Sequence, residues 1–195
     1  MISVLGLAVY ARRIYIWVMT EEKTWNVVGA LSLALADDLL RAAQEHAPLS
    51  GPAAAVALVS HAPGMTIDKL SRALGLSHPG AVRLVDRLVQ DDLLKRGRSA
   101  NDGRAAALTL TRSGRTMCRR ILSSRRNALA RALEILNPAD RKTLARIAET
   151  MLRGMLKDVD HAFEVCRLCD PSACSECPVE AEIIHREASR VKAFS

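Results

Sequence analysis

Four of the chain's five cysteines lie within twelve residues near the C-terminus, in the segment CRLCDPSACSECPVE. Cys166, Cys169, Cys174 and Cys177 form the pattern C-x2-C-x4-C-x2-C. Each C-x2-C turn presents two thiolates to one ion, and four thiolates satisfy a tetrahedral Zn²⁺ with no position left for a substrate. The spacing therefore predicts a structural zinc site.

Two other uses of these thiols stay open. The spacing Cys169-x4-Cys174-x2-Cys177 also occurs in plant-type iron–sulfur proteins, with Cys166 as a fourth ligand, and reduced thiols can act as a redox switch by forming disulfides. The four-residue spacer is shorter than in common zinc ribbons, yet we prefer zinc. The fifth cysteine, Cys118, lies on an apolar helical stripe and is expected to be a small core residue.

A second set of residues with functional chemistry lies on one predicted helix that begins after Ser77. Its apolar residues recur at helical spacing and form an inward stripe of Ala81, Leu84, Val85, Leu88 and Val89. The other side is left to Ser77, His78, Gly80, Arg83, Arg87 and Gln90. This polar, basic side is the candidate DNA-contacting face.

A shorter helix is predicted just before it. Thr66 can cap that helix, and Asp68 lies in its first turn, where a carboxylate suits the positive end of the helix dipole. Gly75 ends it where a positive φ is commonly needed, while Ser77 can cap the next helix with Pro79 in its first turn. The pattern predicts two helices joined by a tight turn.

After Leu93 the apolar period changes from helical to two, which predicts a β-hairpin. Leu94 to Arg98 form one strand, Leu108 and Leu110 lie on the next, and Ser99 to Gly103 form the tip. The side chains expected to contact DNA here are Arg96, Arg98, Asp102 and Arg104. Asp102 is placed to orient the Arg104 guanidinium, which can then enter a minor groove, where the potential is most negative. Two short helices and a basic hairpin make a winged helix-turn-helix, which binds double-stranded DNA.

The same stretch resembles the MarR family of bacterial transcriptional regulators. The resemblance rests on the D-x-R wing of Asp102, Gly103 and Arg104 followed by AAALTLT, and on the preceding LSRALGLS and VDRLV. It implies a homodimeric regulator with one winged helix-turn-helix lobe per subunit, bound to a pseudo-palindromic operator. It also implies release of DNA by a small phenolic ligand or by cysteine oxidation. Carried over by position, the recognition-helix contacts fall on Ser77, His78, Gly80 and Arg83, and the wing arginine is Arg104.

The rest of the chain is predicted to be helical. The segment from Trp25 to Ala43 is apolar almost all round, more than one buried face requires. Beyond the wing, one helix stops at Asn137 and Pro138, and the next carries an apolar stripe of Leu144, Ile147, Met151, Leu152, Met155 and Val159. The expected fold is mainly α with a small β-wing, with N- and C-terminal dimerisation helices around the lobe. A monomeric helical bundle is the alternative.

Three regions follow from these patterns. Residues 19–165 form the winged-helix domain with its dimerisation helices, with the DNA-binding lobe at 50–112, and residues 166–195 form the four-cysteine tail. Residues 1–18 are expected to be either upstream sequence outside the native protein or a loosely attached helix. Their apolar run is interrupted by Arg12 and Arg13, which leaves it too short to span a bilayer. The positive charge also follows the apolar run instead of preceding it as in a secretion signal, so a cytoplasmic location is expected.

The charge distribution agrees with a DNA-binding lobe. The formal net charge is +7, of which residues 65–116 carry +5 while residues 20–64 carry −3. No P-loop, dinucleotide glycine motif, nucleophile elbow or H-E-x-x-H motif occurs, so no enzyme is expected. Two further functions stay open: a winged-helix module that binds another protein, and a metal or redox sensor in which the cysteine tail is the switch. The sequence identifies neither the operator nor the effector.

Overall fold

The computed structural model describes residues 20–46, 50–98, 106–174 and 176–193. The predicted extension 1–18 and the wing residues Asp102 and Arg104 lie outside these ranges. The chain divides into two compact units, Met1–Asp37 and Asp38–Ser195. The domain boundaries drawn from the sequence stay predictions.

The described part is mainly helical with a small antiparallel sheet, as predicted. Its strands are β1 (Met65–Thr66), β2 (Leu94–Arg98) and β3 (Ala106–Leu110). Its helices are α1 (Glu21–Gln44), α2 (Ser50–His61), α3 (Ile67–Ala73), α4 (His78–Gln90), α5 (Arg112–Leu133), α6 (Pro138–Met155), α7 (Val159–Val165) and α8 (Pro178–Ala193), with a 3₁₀ turn at Pro171–Ala173. Over these ranges, no helix is both long and apolar enough to cross a membrane.

The helix ends are fixed by the capping residues that the sequence indicates. The side chain of Thr66 accepts a hydrogen bond from the Lys69 amide, and that of Ser77 accepts one from the Gly80 amide. Gly75 adopts φ +62°, a left-handed conformation that suits glycine and turns the chain from α3 into α4. These local bonds confirm the predicted pair of helices.

The sheet has three strands in the order β1, β3, β2, and both pairings are antiparallel. The hairpin register places Leu94 opposite Leu110 and Arg98 opposite Ala106. Strand β1 was not predicted, because two residues carry no periodicity of their own. It exists because Met65 pairs with Leu108 across the sheet.

The core of the second unit joins the helix pair to the sheet. Leu58 of α2, Leu70 of α3, Leu88 of α4, Leu108 of β3 and Ile121 of α5 are all fully buried. Burying each such side chain contributes about 1.5–3 kcal/mol. One shared core therefore fixes α3, α4 and the wing strands relative to α5.

Val89, which was predicted to belong to the inward stripe, is 37% exposed, and that assignment was wrong.

The helical region after the wing contains one more break between helices than predicted. Helix α6 begins after its predicted cap, Asn137, and ends at Met155, where Leu156 takes an extended conformation. The Asp158 side chain then caps a separate helix, α7, by accepting a hydrogen bond from the His161 amide at 2.8 Å. The prediction that Val159 continues the stripe of α6 was therefore wrong.

Helix α8 is tied to the end of α6 by one side chain. The Arg186 guanidinium donates to the backbone oxygens of Leu156 at 2.6 Å and Arg153 at 3.2 Å, and Glu182 accepts from its Nε at 2.7 Å. Carbonyl groups at the end of a helix have no partner within that helix, so a cation that reaches them stabilises this end.

Candidate nucleic-acid interface

Helix α4 presents a basic face to solvent because its other face is locked into the core. Ala81, Val85 and Leu88 are buried, whereas Arg83 and Arg87, one turn apart, are exposed. Apart from Val89, this division matches the predicted one, and it leaves both guanidinium groups free of the core.

His78, at the first position of α4, is held by a carboxylate from α3. Its Nδ1 lies 2.7 Å from Oδ1 of Asp68, and more than half of each side chain is exposed. A carboxylate at Nδ1 favours the tautomer with the proton on that nitrogen. The contact orients the imidazole and leaves Nε2 as its second polar atom. The sequence analysis assigned Asp68 only to the positive end of the α3 helix dipole, and it did not predict the contact between Asp68 and His78.

The wing is joined to α4 by a second carboxylate. Nη2 of Arg96 on β2 lies 2.6 Å from Oδ1 of Asp86 on α4, with the two side chains 39% and 46% exposed. Asp86 lies one turn after Arg83, which itself lies one turn before Arg87, so the bond brings Arg96 to the side of α4 that carries these arginines. Sequence reasoning missed Asp86, because an acidic residue on a basic helix gives no sign of its partner on another element.

The described part of the wing ends at Arg98 on one strand and begins at Ala106 on the other. Arg98 is exposed at the distal end of β2. The predicted contact between Asp102 and Arg104 falls outside the described residues. Ser77 is exposed and Gly80 is half-buried at the start of α4. The described residues of the predicted site thus lie along α4, from its cap Ser77 to Arg87 in its last turn, and on β2.

The base of the wing is fastened where α4 ends and α5 begins. Asp92 adopts φ +53°, and its carboxylate accepts a hydrogen bond from the Ser113 hydroxyl at 2.9 Å. Thr111 caps α5 through the Gly114 amide at 2.9 Å and donates its own hydroxyl proton to the Asp92 carbonyl oxygen. An ideal Cβ on Gly114 would lie 2.0 Å from the Leu93 carbonyl oxygen, so only glycine fits here.

The four tail cysteines lie at the junction of α7 and α8. Cys166 follows α7, its carbonyl oxygen accepts the Cys169 amide at 2.9 Å, and Cys177 immediately precedes α8. Cys174 is exposed, the other three are half-buried, and all four are free thiols. Within the described ranges, no three His, Cys, Asp or Glu side chains are arranged to hold a metal ion. The predicted ligand set is brought to one region, but as two pairs.

The tail thiols change one another's proton affinity. The pKa of the Cys169 thiol is lowered to about 6, chiefly because the Cys166 thiol donates a hydrogen bond to it. The Arg125 guanidinium adds to this effect, and burial opposes it. The same hydrogen bond raises the pKa of Cys166, and burial and the nearby thiols of Cys177 and Cys174 raise it further. The two pairs therefore lie close enough to interact.

Cys118 is a different kind of thiol. It is 3% exposed on α5, as predicted for a small core residue. Burial raises the pKa of the Cys118 thiol, and a hydrogen bond with Ser60 acts in the opposite direction.

The segment 159–168, which leads into the cysteine tail, contacts the winged-helix lobe directly. Helix α7 packs against α3, where Nε of Arg72 lies 2.9 Å from Oδ2 of Asp160. Phe163 of α7 and Leu168 between the first two cysteines pack against the core of the lobe. The cysteine region is therefore attached to the first helix of the helix-turn-helix pair.

Comparison with known proteins agrees with this geometry. Residues 52–105 match the model of the MarR family. The transcriptional repressor MprA of Escherichia coli strain K12 is 32% identical over 85 residues, which are 44% of this chain and 48% of MprA. The chain thus spans about half the length of this curated relative.

Solved structures share the fold over most of the chain. RV1404 from Mycobacterium tuberculosis is similar with a TM-score of 0.61 at 21% identity, covering 71% of this chain and 96% of that one. Sco3205, a MarR family transcriptional regulator from Streptomyces coelicolor solved in complex with DNA, is similar with a TM-score of 0.55 at 21% identity, covering 72% and 95%. At these identities the likeness establishes the fold.

Proposed function

We propose that this chain, whose winged-helix region is that of the MarR family, is a sequence-specific regulator of transcription that binds double-stranded DNA. The observation that carries the proposal is the basic surface formed by Arg83 and Arg87 on α4 and by Arg96, which Asp86 holds beside them. The similar fold of Sco3205, which was solved with DNA, supports it.

The binding mode follows from the shapes of the two elements. A B-DNA major groove is about 12 Å wide and admits an α-helix. With α4 in this groove, Arg83 can donate two hydrogen bonds to a guanine edge, and His78 can reach a base or a phosphate through Nε2. The wing then lies beside the flanking minor groove, where Arg98 and, by prediction, Arg104 meet the most negative potential.

The protein is proposed to act as a homodimeric repressor. Large apolar side chains are exposed on α1, including Trp25 at 67% and Leu33 at 70%, and on α6, including Ile147 at 43% and Met151 at 47%. A second copy would cover such surfaces. A two-fold dimer places its recognition helices roughly 34 Å apart, which matches the half-sites of a pseudo-palindrome. MprA is named a transcriptional repressor, which supports repression rather than activation as the mode of regulation.

A small ligand, or thiol or metal chemistry, is proposed to release the DNA. Either effector can act only by binding one arrangement of the lobes more tightly than the other. Because the DNA partner is chromosomal, the proposed location is the bacterial cytoplasm.

The test is a titration of labelled promoter fragments from the chain's own locus, against scrambled DNA, at several salt concentrations. The affinity should fall steeply with salt because bound arginines displace condensed counterions. Arg83→Ala should lower operator affinity by about 1–3 kcal/mol and reduce the ratio of specific to scrambled binding. Arg146→Ala, which removes the same charge from the exposed surface of α6, is the matched control.

Two outcomes would contradict the proposal. A wild-type chain with no salt-sensitive affinity for these fragments would favour a protein-docking module instead. An unchanged specificity ratio in Arg83→Ala would remove the assigned base contact. The dimer is tested separately by light scattering after gel filtration, where twice the chain mass of 21.2 kDa is expected and Ile147→Glu should lower it. A wild-type mass of one chain would exclude the dimer.

A further inference from the structure

The segment that carries the tail cysteines has little apolar burial to hold it in shape. From Lys157 through Cys177, none of the residues that the structure describes is fully buried. Helix α7 has seven residues and the following 3₁₀ turn has three, lengths that are not stable in water without tertiary support. Small segments of this kind commonly need a covalent or metal crosslink.

The backbone of this segment gathers its four thiols from two directions. One pair comes from the turn that follows α7, in which the Cys169 amide bonds the Cys166 carbonyl oxygen. The other pair, Cys174 and Cys177, lies between the 3₁₀ turn and the start of α8, and the Asp170 side chain accepts a hydrogen bond from the Ser172 amide of that turn. The four thiols thus come from two short segments, one after the end of α7 and one before the start of α8.

We propose that Cys166, Cys169, Cys174 and Cys177 together bind one Zn²⁺ ion. Four thiolates on paired C-x2-C turns are a donor set typical of a closed, structural zinc site. The thiols lie as two pairs, so binding must draw Cys174 and Cys177 towards the first pair, and because Cys174 is exposed its shift would disrupt little packing. The folding free energy of such a segment then includes the free energy of metal binding.

The site would also control the DNA-binding lobe, a consequence that rests on the proposed function. Helix α7 contacts α3 through the ion pair between Asp160 and Arg72, and Phe163 reaches the core of the lobe. A zinc-bound tail would hold α3, and through it the start of α4, in a single position. Loss of zinc would loosen this attachment and weaken operator binding by roughly 5- to 150-fold, the usual range of coupling between two sites.

The metal is tested on the full chain, purified anaerobically with reductant and analysed for zinc, iron and acid-labile sulfide. We expect about one Zn²⁺ per chain, and Co²⁺ exchanged into the protein should give the intense optical bands of a tetrahedral thiolate complex. The double variant Cys174→Ser, Cys177→Ser should lose the metal, whereas the control Cys118→Ala should keep it. Circular dichroism verifies that both variants retain the helical lobe.

Several results would overturn the proposal. These are iron with acid-labile sulfide in place of zinc, zinc that persists in the double variant, and a wild-type chain that binds neither Zn²⁺ nor Co²⁺ when titrated. Tail disulfides in the reduced, anaerobic preparation, seen as a mass lower by two hydrogens per bond, would do the same. A zinc-bound chain whose operator affinity does not change on chelation would refute the coupling to the lobe. If the zinc-bound chain does not bind promoter DNA at all, the proposed function fails while the metal site stands.

Discussion

Among the glycines that the structure describes, Gly114 is the one at which an added methyl group should destabilise the fold most. It is the third residue of α5, and its amide bonds the capping Thr111 side chain at 2.9 Å. An added Cβ would lie 2.0 Å from the carbonyl oxygen of Leu93, 2.9 Å from its carbonyl carbon and 3.3 Å from Cδ2 of Leu110. The carbonyl cannot turn away freely, because it accepts the Thr111 amide at 3.1 Å.

The expected change in the unfolding free energy of Gly114→Ala is the difference between two effects. In an unobstructed helix, glycine to alanine stabilises a protein by about 0.5–1 kcal/mol. In Gly114→Ala, by contrast, backbone atoms must separate by about 1 Å to relieve the contact, and overpacking of this kind commonly destabilises by 1–3 kcal/mol or more. Taking the upper part of the overpacking range, we expect a net loss of about 2 kcal/mol. With a urea m-value of about 2 kcal/mol per M, the midpoint should fall by about 1 M.

The assay is urea unfolding followed by circular dichroism at one fixed protein concentration. Gly154→Ala is the matched control, because an added Cβ there meets no atom within 4 Å, and it should leave the midpoint unchanged or raise it slightly. Gly114→Ala should also weaken DNA binding, since the wing base would shift relative to α4. Equal midpoints for the two variants would refute the assigned close contact.

Three further predictions concern single side chains. Asp86→Asn should change stability by less than about 1 kcal/mol because the pair is half exposed, yet it should lower operator affinity, as Arg96 loses its anchor. Asp91→Asn is the control, because it removes the same charge from the same lobe. A higher operator affinity in Asp86→Asn would show that the Asp86 carboxylate only repels DNA. Asn137→Ala should lower the unfolding free energy by about 1 kcal/mol, because the amides of Ala139 and Asp140 lose their cap; an unchanged urea midpoint would argue against this cap. Since burial raises the pKa of Cys118, its thiolate fraction is reduced at every pH, so iodoacetamide should label it only after unfolding; labelling of the native chain at neutral pH would contradict this expectation.

The elements that the sequence predicted well are those fixed by local bonds. Thr66, Ser77 and Asn137 each cap the helix that follows, and a capping side chain needs only the next two or three amides. The wing strands were also predictable, because a period of two identifies the buried side of Leu108 and Leu110.

The features that were missed depend on partners far along the chain. Strand β1 is defined by pairing with β3, more than forty residues later. The end of α6 was missed because the apolar spacing runs on through Val159, while the break depends on Leu156 turning inward and being 4% exposed. Periodicity reports which side of a helix is apolar, but it does not report where the helix stops.

The acidic residues of the lobe show why net charge alone describes this surface poorly. Residues 65–116 contain five aspartates, and among the four that the structure describes, three bind another side chain: Asp68 binds His78, Asp86 binds Arg96 and Asp92 binds Ser113. Each would lower the attraction for phosphate, yet each fixes either a side chain of the proposed DNA-binding surface or, in the case of Asp92, the base of the wing. The electrostatic attraction to DNA and the orientation of the contacting side chains can be measured separately. The salt dependence of binding reports the number of neutralised phosphates. The ratio of specific to scrambled binding depends on the placement of base contacts. Replacing Asp68 or Asp86 by asparagine should therefore leave the salt slope nearly unchanged while the specificity ratio falls. A slope that rises with an unaltered ratio would show that these carboxylates act only through their charge.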